Sequence, residues 1–246
     1  APQAFDEDMH IAVVGGKRVR IRLADDLKEE RSHSVSLSAD LYHNFGRVQT
    51  NLLVEGFYTI LDDVFALRDL EDTDDGGKIK ERYNGSGAAV RGFNVEGRAI
   101  FTRWFELQAG VTLQQSRYKE SEQWSEDADV PPVRRMFRTP DAYGYFTASF
   151  KPVRNFTADL TGTCTGSMLV QHMAGSGVAQ DAAVSTPSFF DMNVRLSYDL
   201  RIYKEITLQL YGGVQNLFNA YQKDFDKGAD RDSGYIYGPS LPRSWF

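Results

Sequence analysis

The chain has 246 residues, of which 41% are hydrophobic, 13% aromatic and 25% charged, with 21 Gly, only 8 Pro and a net charge of -6. That balance argues against nucleic acid as a partner, because phosphate binding needs a concentrated basic face and none is visible. The single cysteine, Cys164, excludes an intrachain disulfide, and no apolar run approaches the roughly 20 residues of a membrane-spanning helix.

In chain order, period-two alternation is the dominant signal. Val35, Leu37, Ala39 and Leu41 alternate with Ser34, Ser36, Ser38 and Asp40. Strands near 49–59 and 89–98 alternate less cleanly, as does one near 142–150. Leu107, Ala109, Val111 and Leu113 alternate with Glu106, Gln108, Gly110 and Thr112. Phe156 to Thr165 repeats the pattern and places Cys164 among the apolar residues. Phe190, Met192, Val194, Leu196 and Tyr198 follow, then Ile206, Leu208, Leu210, Gly212 and Val214. No segment carries a helical period.

These strands run about 9 to 14 residues, longer than globular strands and long enough, when tilted, to cross a bilayer. Their connections alternate in kind. Short turns fall near 44–47, 101–104, 151–155 and 201–204; long polar loops fall near 62–85, 119–140, 171–187 and 220–234. Short turns on one side and long loops on the other are the asymmetry of outer-membrane barrels, in which the apolar face meets lipid and the polar face lines a wet interior.

Aromatic residues are expected as two belts at the membrane interfaces. Phe45, Trp104, Phe105, Phe150, Phe156, Tyr198 and Tyr203 lie beside the short turns. Tyr58, Tyr118, Tyr143, Tyr145, Phe189 and Phe190 lie towards the long loops. The competing reading is a soluble surface β-sandwich, whose apolar face packs on a second sheet.

Several motifs carry a family resemblance. G-G-V-Q-N-L-F-N at 212–219, with Asn216, Leu217, Phe218 and Asn219, looks like the penultimate-strand motif of TonB-dependent outer-membrane receptors. The tail Y-I-Y-G-P-S-L-P-R-S-W-F at 235–246 resembles the run into their last strand. L-K-E-E at 27–30 and E-G-F-Y-T with L-D-D-V within 54–64 resemble a mid-barrel hairpin and its loop entry. The resemblance implies an all-β, antiparallel transmembrane barrel, here a partial barrel of about 8 to 10 long strands from a 22-stranded whole.

On that resemblance, residues 1–246 are expected to form the C-terminal portion of the barrel, without the plug domain or the barrel's first half. An export signal is expected to lie upstream of Ala1 or to have been removed. The last strand, ending at Phe246, is expected to be cut short. The resemblance further implies a Gram-negative outer-membrane location, a TonB complex acting through the missing plug, and contact with outer-membrane lipid and lipopolysaccharide. The cargo is a small-molecule nutrient, with iron–siderophore the first substrate class and cobalamin, haem or oligosaccharide the alternatives.

No catalytic constellation is present, so the chain is expected not to be an enzyme. His10, His33, His43 and His172 are scattered, and no Ser-His-Asp order or P-loop appears. Asn84-Gly85-Ser86 is a chance glycosylation match. Ligand contact is expected from Trp124, Arg134, Arg135 and Arg138, with His172 on the next loop, because anionic ligands want arginine forks and aromatic faces. No cofactor is expected except calcium in acidic loops, at Glu71, Asp72, Asp74 and Asp75 or at Asp224, Asp226, Asp230 and Asp232; neither has EF-hand spacing.

Overall fold

The computed structural model describes residues 19–72 and 78–246. Asp74, Asp75 and His10 lie outside the described residues, as do the side chains of Glu71 and Asp72. The strands, in chain order, are β1 (Val19–Leu23), β2 (Arg31–Phe45), β3 (Val48–Asp62), β4 (Phe65–Asp72), β5 (Lys78–Asn84), β6 (Ala88–Thr102) and β7 (Phe105–Glu122). They continue as β8 (Val133–Arg135), β9 (Ala142–Val153), β10 (Phe156–Thr165), β11 (Leu169–His172), β12 (Ala182–Ser185), β13 (Phe189–Tyr203), β14 (Ile206–Gln215) and β15 (Ser244–Trp245). Among the described residues there is no helix.

The main sheet is an antiparallel meander, β2-β3-β6-β7-β9-β10-β13-β14, with β15 on its outer edge and β8 beside β7. Its strands run from 10 residues (β10) to 18 (β7). The sheet does not close on itself: β2 and β15 are its two edges. This is the expected partial barrel.

All four short connections are two-residue turns. The closing pairs are Phe45 with Val48, Thr102 with Phe105, Val153 with Phe156 and Tyr203 with Ile206. Gly46 (φ 63°) and Lys204 (φ 42°) adopt the positive φ that primed hairpin turns require.

Register carries one apolar face through the whole sheet. Ala39 pairs with Val54, Val54 with Val95, Val95 with Val111, Val111 with Gly144, Gly144 with Cys164, and Cys164 with Phe190. The alternate positions form the opposite face, where Glu55, Asn94, Thr112, Tyr143 and Thr165 follow one another across five strands. That face is cross-linked laterally. Asn94 donates to Glu55 at 2.8 Å, Thr112 to Asn94 at 2.8 Å, and Gln108 to Glu96 at 2.8 Å and Tyr145 at 3.2 Å.

Among the described residues nothing packs against the apolar face. Val35 is 73% exposed and Leu37 81%. Among the described residues the buried apolar side chains are Ala24, Ala88, Val130, Val170, Val214 and Tyr235, none of them in the middle of the sheet. The β-sandwich reading needs a second sheet over Leu37, Val54 and Val111, and the described residues supply none. Acyl chains are a solvent in which such a face needs no core.

Two expectations need correction. Beside the short turns the aromatic belt is assembled as expected: Phe101 stacks on Phe105 at 5.1 Å, and Phe150 lies 5.0 Å from Trp104 and 5.2 Å from Phe105. At the other rim only Tyr58 and Phe190 share the apolar face. Tyr118, Tyr143, Tyr145 and Phe189 occupy the polar register, because they fall one residue out of phase. The long loops are also more structured than polar composition suggests. Within the 62–85 loop, β4 and β5 pair and β1 adds in parallel to β5, and β11 pairs with β12 within 171–187 and its flank.

Candidate functional site

Burial in this molecule concentrates at one rim, where three long connections (residues 123–141, 166–188 and 216–243) fold onto each other. Ser125, His172, Thr186, Gln222 and Asp232 are buried polar residues there, and Gln222 is only 1% exposed. The β7–β9 and β10–β13 loops are tied by Ser125 to Asp181 at 2.7 Å and by Gln180 to Asp127 at 2.7 Å. The β10–β13 and β14–β15 loops are tied by the Met173 N–H to Asp232 at 2.8 Å and the Ser176 N–H to the Asp230 carbonyl at 3.0 Å. Because the donors and acceptors come from different loops, the rim behaves as one plate.

His172 sits at its centre. The imidazole stacks on Tyr235 with ring centroids 3.7 Å apart and planes 8° from parallel, and Nε2 lies 3.0 and 3.1 Å from the two carboxylate oxygens of Asp226. Gln222 organises the last loop from within: Nε2 donates to the Tyr235 carbonyl at 3.0 Å, and Oε1 accepts from the Tyr237 N–H at 2.8 Å. The Tyr237 and Tyr235 hydroxyls donate to Asp224 at 2.7 and 3.2 Å. Burial alone raises the Asp224 carboxyl, yet these hydroxyls and neighbouring donors hold it below the usual carboxylate range. Burial and the Asp224 charge push Tyr235 up to about 12, and Tyr237 is raised for the same reasons.

The predicted ligand residues are distributed rather than convergent. Trp124 packs edge-on against Phe137 at 5.3 Å and donates to the Pro131 carbonyl at 3.3 Å. Arg138, itself at φ 57°, donates to the carbonyls of Ile236 (2.8 Å) and Gly234 and so clamps the first loop to the last. Arg135 donates to the Ser167 carbonyl at 2.8 Å and pairs with Asp141 at 3.1 Å, leaving its buried Nε without a hydrogen-bond partner. Arg134 points elsewhere, to the backbone carbonyls of Tyr118 and Lys119. His172 joins the acidic loop instead of the arginines.

The aspartates likewise do not converge. Asp224 faces tyrosines, Asp226 faces His172, Asp232 accepts backbone N–H groups, and Asp230 is exposed. No group of three or more metal-ligating side chains forms among the described residues. Sequence reasoning missed Tyr235, Tyr237, Gln222, Asp181 and Asp127. The only available signal was the Y-x-Y spacing 11 to 13 residues after Asp224.

The N-L-F-N segment acts as a clasp at the end of β14. Asn216 (φ 52°) and Asn219 (φ 56°) both take left-handed backbone, which Asn tolerates better than most residues. Asn216 donates to the carbonyls of Ala220 and Leu241 at 3.2 and 3.0 Å and accepts from the Ala220 N–H at 2.8 Å, while Asn219 accepts from the Arg243 N–H at 2.9 Å. Below it, on the polar face, lies a hollow of about 660 Å³ lined by Asp159, Asp191, Asn193, Arg195 and Asn216. Asp191 Oδ1 is buried there without a hydrogen-bond partner.

An open, two-faced antiparallel sheet with short turns at one end and a fused loop plate at the other defines a segment of an outer-membrane-type β-barrel. A family model, the TonB dependent receptor-like β-barrel, matches residues 1–217, and the chain belongs to that family. It is a family of transport receptors rather than enzymes.

Solved structures share the fold. The ferric-catecholate import receptor Fiu of Escherichia coli K12, closed form, matches with a TM-score of 0.61 at 18% identity, over 90% of this chain and 27% of that one. The FrpB iron transporter of Neisseria meningitidis gives 0.57 at 15% identity, over 92% and 32%. The copper transporter OprC gives 0.57 at 14% identity, over 90% and 31%. This chain therefore spans between a quarter and a third of the length of these structures. No curated protein sequence matches it.

Proposed function

We propose that the chain is the C-terminal portion of a 22-stranded receptor barrel in the outer membrane of a Gram-negative bacterium. The receptor actively imports a scarce small-molecule nutrient, with iron–siderophore as the first substrate class, and is energised by a TonB complex through the plug domain of the whole protein. Cobalamin, haem and oligosaccharide are the alternatives within the same family.

The observation that carries this reading is the continuous apolar face, from Leu37 through Val54 and Val111 to Phe190, left uncovered while the opposite face is wired with hydrogen bonds. Acyl chains are the solvent such a face requires. The solved neighbours named for ferric-catecholate and iron transport support the substrate class. In this reading a ligand meets the loop plate and the polar wall beneath it, where Trp124, Arg138 and His172 hold the loops in place.

The further expectation is that the acidic loop needs no calcium, since Asp224, Asp226 and Asp232 are engaged by Tyr235, Tyr237, His172 and backbone donors. Titration calorimetry of the full receptor with millimolar calcium should show no heat; a saturable heat would restore the ion.

The test of transport is uptake of radio-iron from siderophore complexes by cells carrying or lacking the full-length receptor, each with and without TonB. Uptake should need both. Siderophore uptake unchanged by deletion, with loss of cobalamin, haem or oligosaccharide uptake, reassigns the cargo. Uptake that persists without TonB overturns the receptor reading.

A further inference from the structure

The β11–β12 hairpin is held at two levels by different chemistry. At its base the Arg138 N–H donates to the Leu169 carbonyl at 2.8 Å, and the Arg135 guanidinium donates to the Ser167 carbonyl at 2.8 Å. Thr186 closes the strand pair, its N–H donating to the Met168 carbonyl at 2.9 Å and its hydroxyl accepting from the Met168 N–H at 3.1 Å. These acceptors are carbonyls and a hydroxyl, which acid leaves unchanged. The carboxylate at this level, Asp141, pairs with Arg135 at 3.1 Å.

The tip, residues 172–181, is held instead by carboxylates, and in four of them both oxygens accept at once. Asp181 takes the Ala174 N–H and the Ser125 hydroxyl, each at 2.7 Å. Asp232 takes the Met173 and Gly234 N–H groups, each at 2.8 Å. Asp127 takes the Asp129 N–H at 2.9 Å and the Gln180 amide at 2.7 Å. Asp226 meets His172 Nε2 with both oxygens and takes the Asp232 N–H at 3.1 Å. Among the described residues no Lys or Arg side chain pairs with any of the four.

The tip is also closely seated. A Cβ on Gly177 would stand 2.0 Å from Asp226 Oδ1, and one on Gly175 would stand 2.3 Å from the Asp230 carbonyl oxygen. Ser176 adds two ties without a titratable acceptor, from its N–H to the Asp230 carbonyl at 3.0 Å and from its hydroxyl to the Lys227 carbonyl at 2.5 Å. The remaining charges do not substitute for the carboxylates. Arg138 is turned to the Gly234 and Ile236 carbonyls, Arg231 to the Gly228 carbonyl and Asp224 to the tyrosines, while Glu126, Asp129, Asp230 and Lys227 are exposed.

Only an ionised carboxylate accepts at both oxygens; protonation turns one of them into a donor that faces another donor. Burial makes that mismatch costly, and Asp232 is 6% exposed. The Asp129 N–H and the Gln180 amide hold Asp127 below the usual carboxylate range, so its contribution is present above that range and is lost as pH falls. His172 acts in the opposite sense. An imidazolium still pairs with ionised Asp226, so charging the histidine does not free the tip.

We propose that the β11–β12 hairpin is an acid-released flap, hinged at its base and latched at its tip by Asp127, Asp181, Asp226 and Asp232. With the carboxylates ionised, the latch is shut and the three loops move as one. In acid the tip leaves both neighbouring loops while the base stays docked through Arg135 and the Arg138 N–H. The flap goes beyond the transport reading and does not depend on the cargo.

Hydrogen exchange of the full-length receptor in detergent reads the flap at about pH 7.5 and about pH 4.5, each rate being divided by the intrinsic rate at that pH. Protection at 173–181 should fall about tenfold in acid, the scale of one or two buried hydrogen bonds, while 167–170 and the sheet keep theirs. Asp232→Asn sets an amide where the protonated acid would be. It should lower protection of the tip already at the higher pH and shrink the acid response. Arg138→Gln removes ties to carbonyls, so its ratio between the two pH values should match the parent's. His172→Gln keeps the four carboxylates and should keep the acid response.

Equal protection of the tip at both pH values in the parent overturns the flap. A fall shared equally by tip, base and sheet is general acid unfolding and overturns it too. An acid response abolished by His172→Gln assigns the switch to the imidazole and overturns the carboxylate latch. The uptake test above decides the cargo independently of all three.

Discussion

Single residues at the rim show how polar groups set geometry where no core exists. Asn216 is 5% exposed, sits in left-handed backbone and satisfies backbone groups from both ends of the last loop. Replacing it by Ala leaves at least two of those groups unpaired and strains the backbone. Asn216→Ala should therefore cost about 1–3 kcal/mol, read as a lower unfolding midpoint in detergent; an unchanged midpoint refutes the clasp.

Gly87 (φ 86°) makes a sharper case, because a Cβ there would stand 2.3 Å from the Leu61 carbonyl oxygen. The Asp224–Tyr235–Tyr237 cluster has a pH window whose sign follows from its shifts. Asp224 is lowered, so its contribution is present above the ordinary carboxyl range and is lost as acid protonates it. Tyr235 is raised, so its contribution is full below about 10, the ordinary tyrosine value, and is lost as pH rises through about 12. Ultraviolet titration of Tyr235→Phe against the parent should remove one phenol ionising near 12; a difference spectrum centred near 10 contradicts the cluster.

Among the elements, the β11–β12 hairpin is too short to be stable alone and borrows its order from the last loop. Its link is His172, whose side chain is 8% exposed against 4% for Asp226. His172→Ala leaves the buried Asp226 carboxylate with only the Asp232 N–H and removes the stack on Tyr235. The cost should be about 1–3 kcal/mol of local opening, that of a lost buried hydrogen-bond partner. Limited proteolysis and hydrogen exchange should then rise together at 172–182 and 224–237, with the β-sheet unchanged. Exchange confined to one loop shows that the plate is not a unit.

For the whole molecule, the two faces of one sheet meet different solvents, and substitutions should report which is which. Val95→Arg places a charge in the apolar band and should cost about 2–4 kcal/mol in vesicles. Asn94→Arg, one residue away on the wired face, should cost far less. Equal costs, measured by unfolding midpoint in the same vesicles, remove the distinction between lipid and lumen on which the receptor reading stands.

The eight strands of the meander, the four tight turns and the identity of the apolar face were legible in the sequence, because side-chain period and turn chemistry are local properties of the chain, whereas the short strands inside the long loops were not. The N-L-F-N segment was legible as a signature but not as a clasp. Which residues meet across loops was not legible. His172 with Asp226 is separated by 54 positions and Arg138 with Ile236 by 98, and no local rule links them. The same holds for Arg134, whose anchorage on the Tyr118 and Lys119 carbonyls depends on β8 pairing beside β7. Local chemistry thus determined that this chain makes long two-faced strands, and only the tertiary register decided which arginines, acids and aromatics share a surface, because proximity there is set by pairing across strands rather than along them.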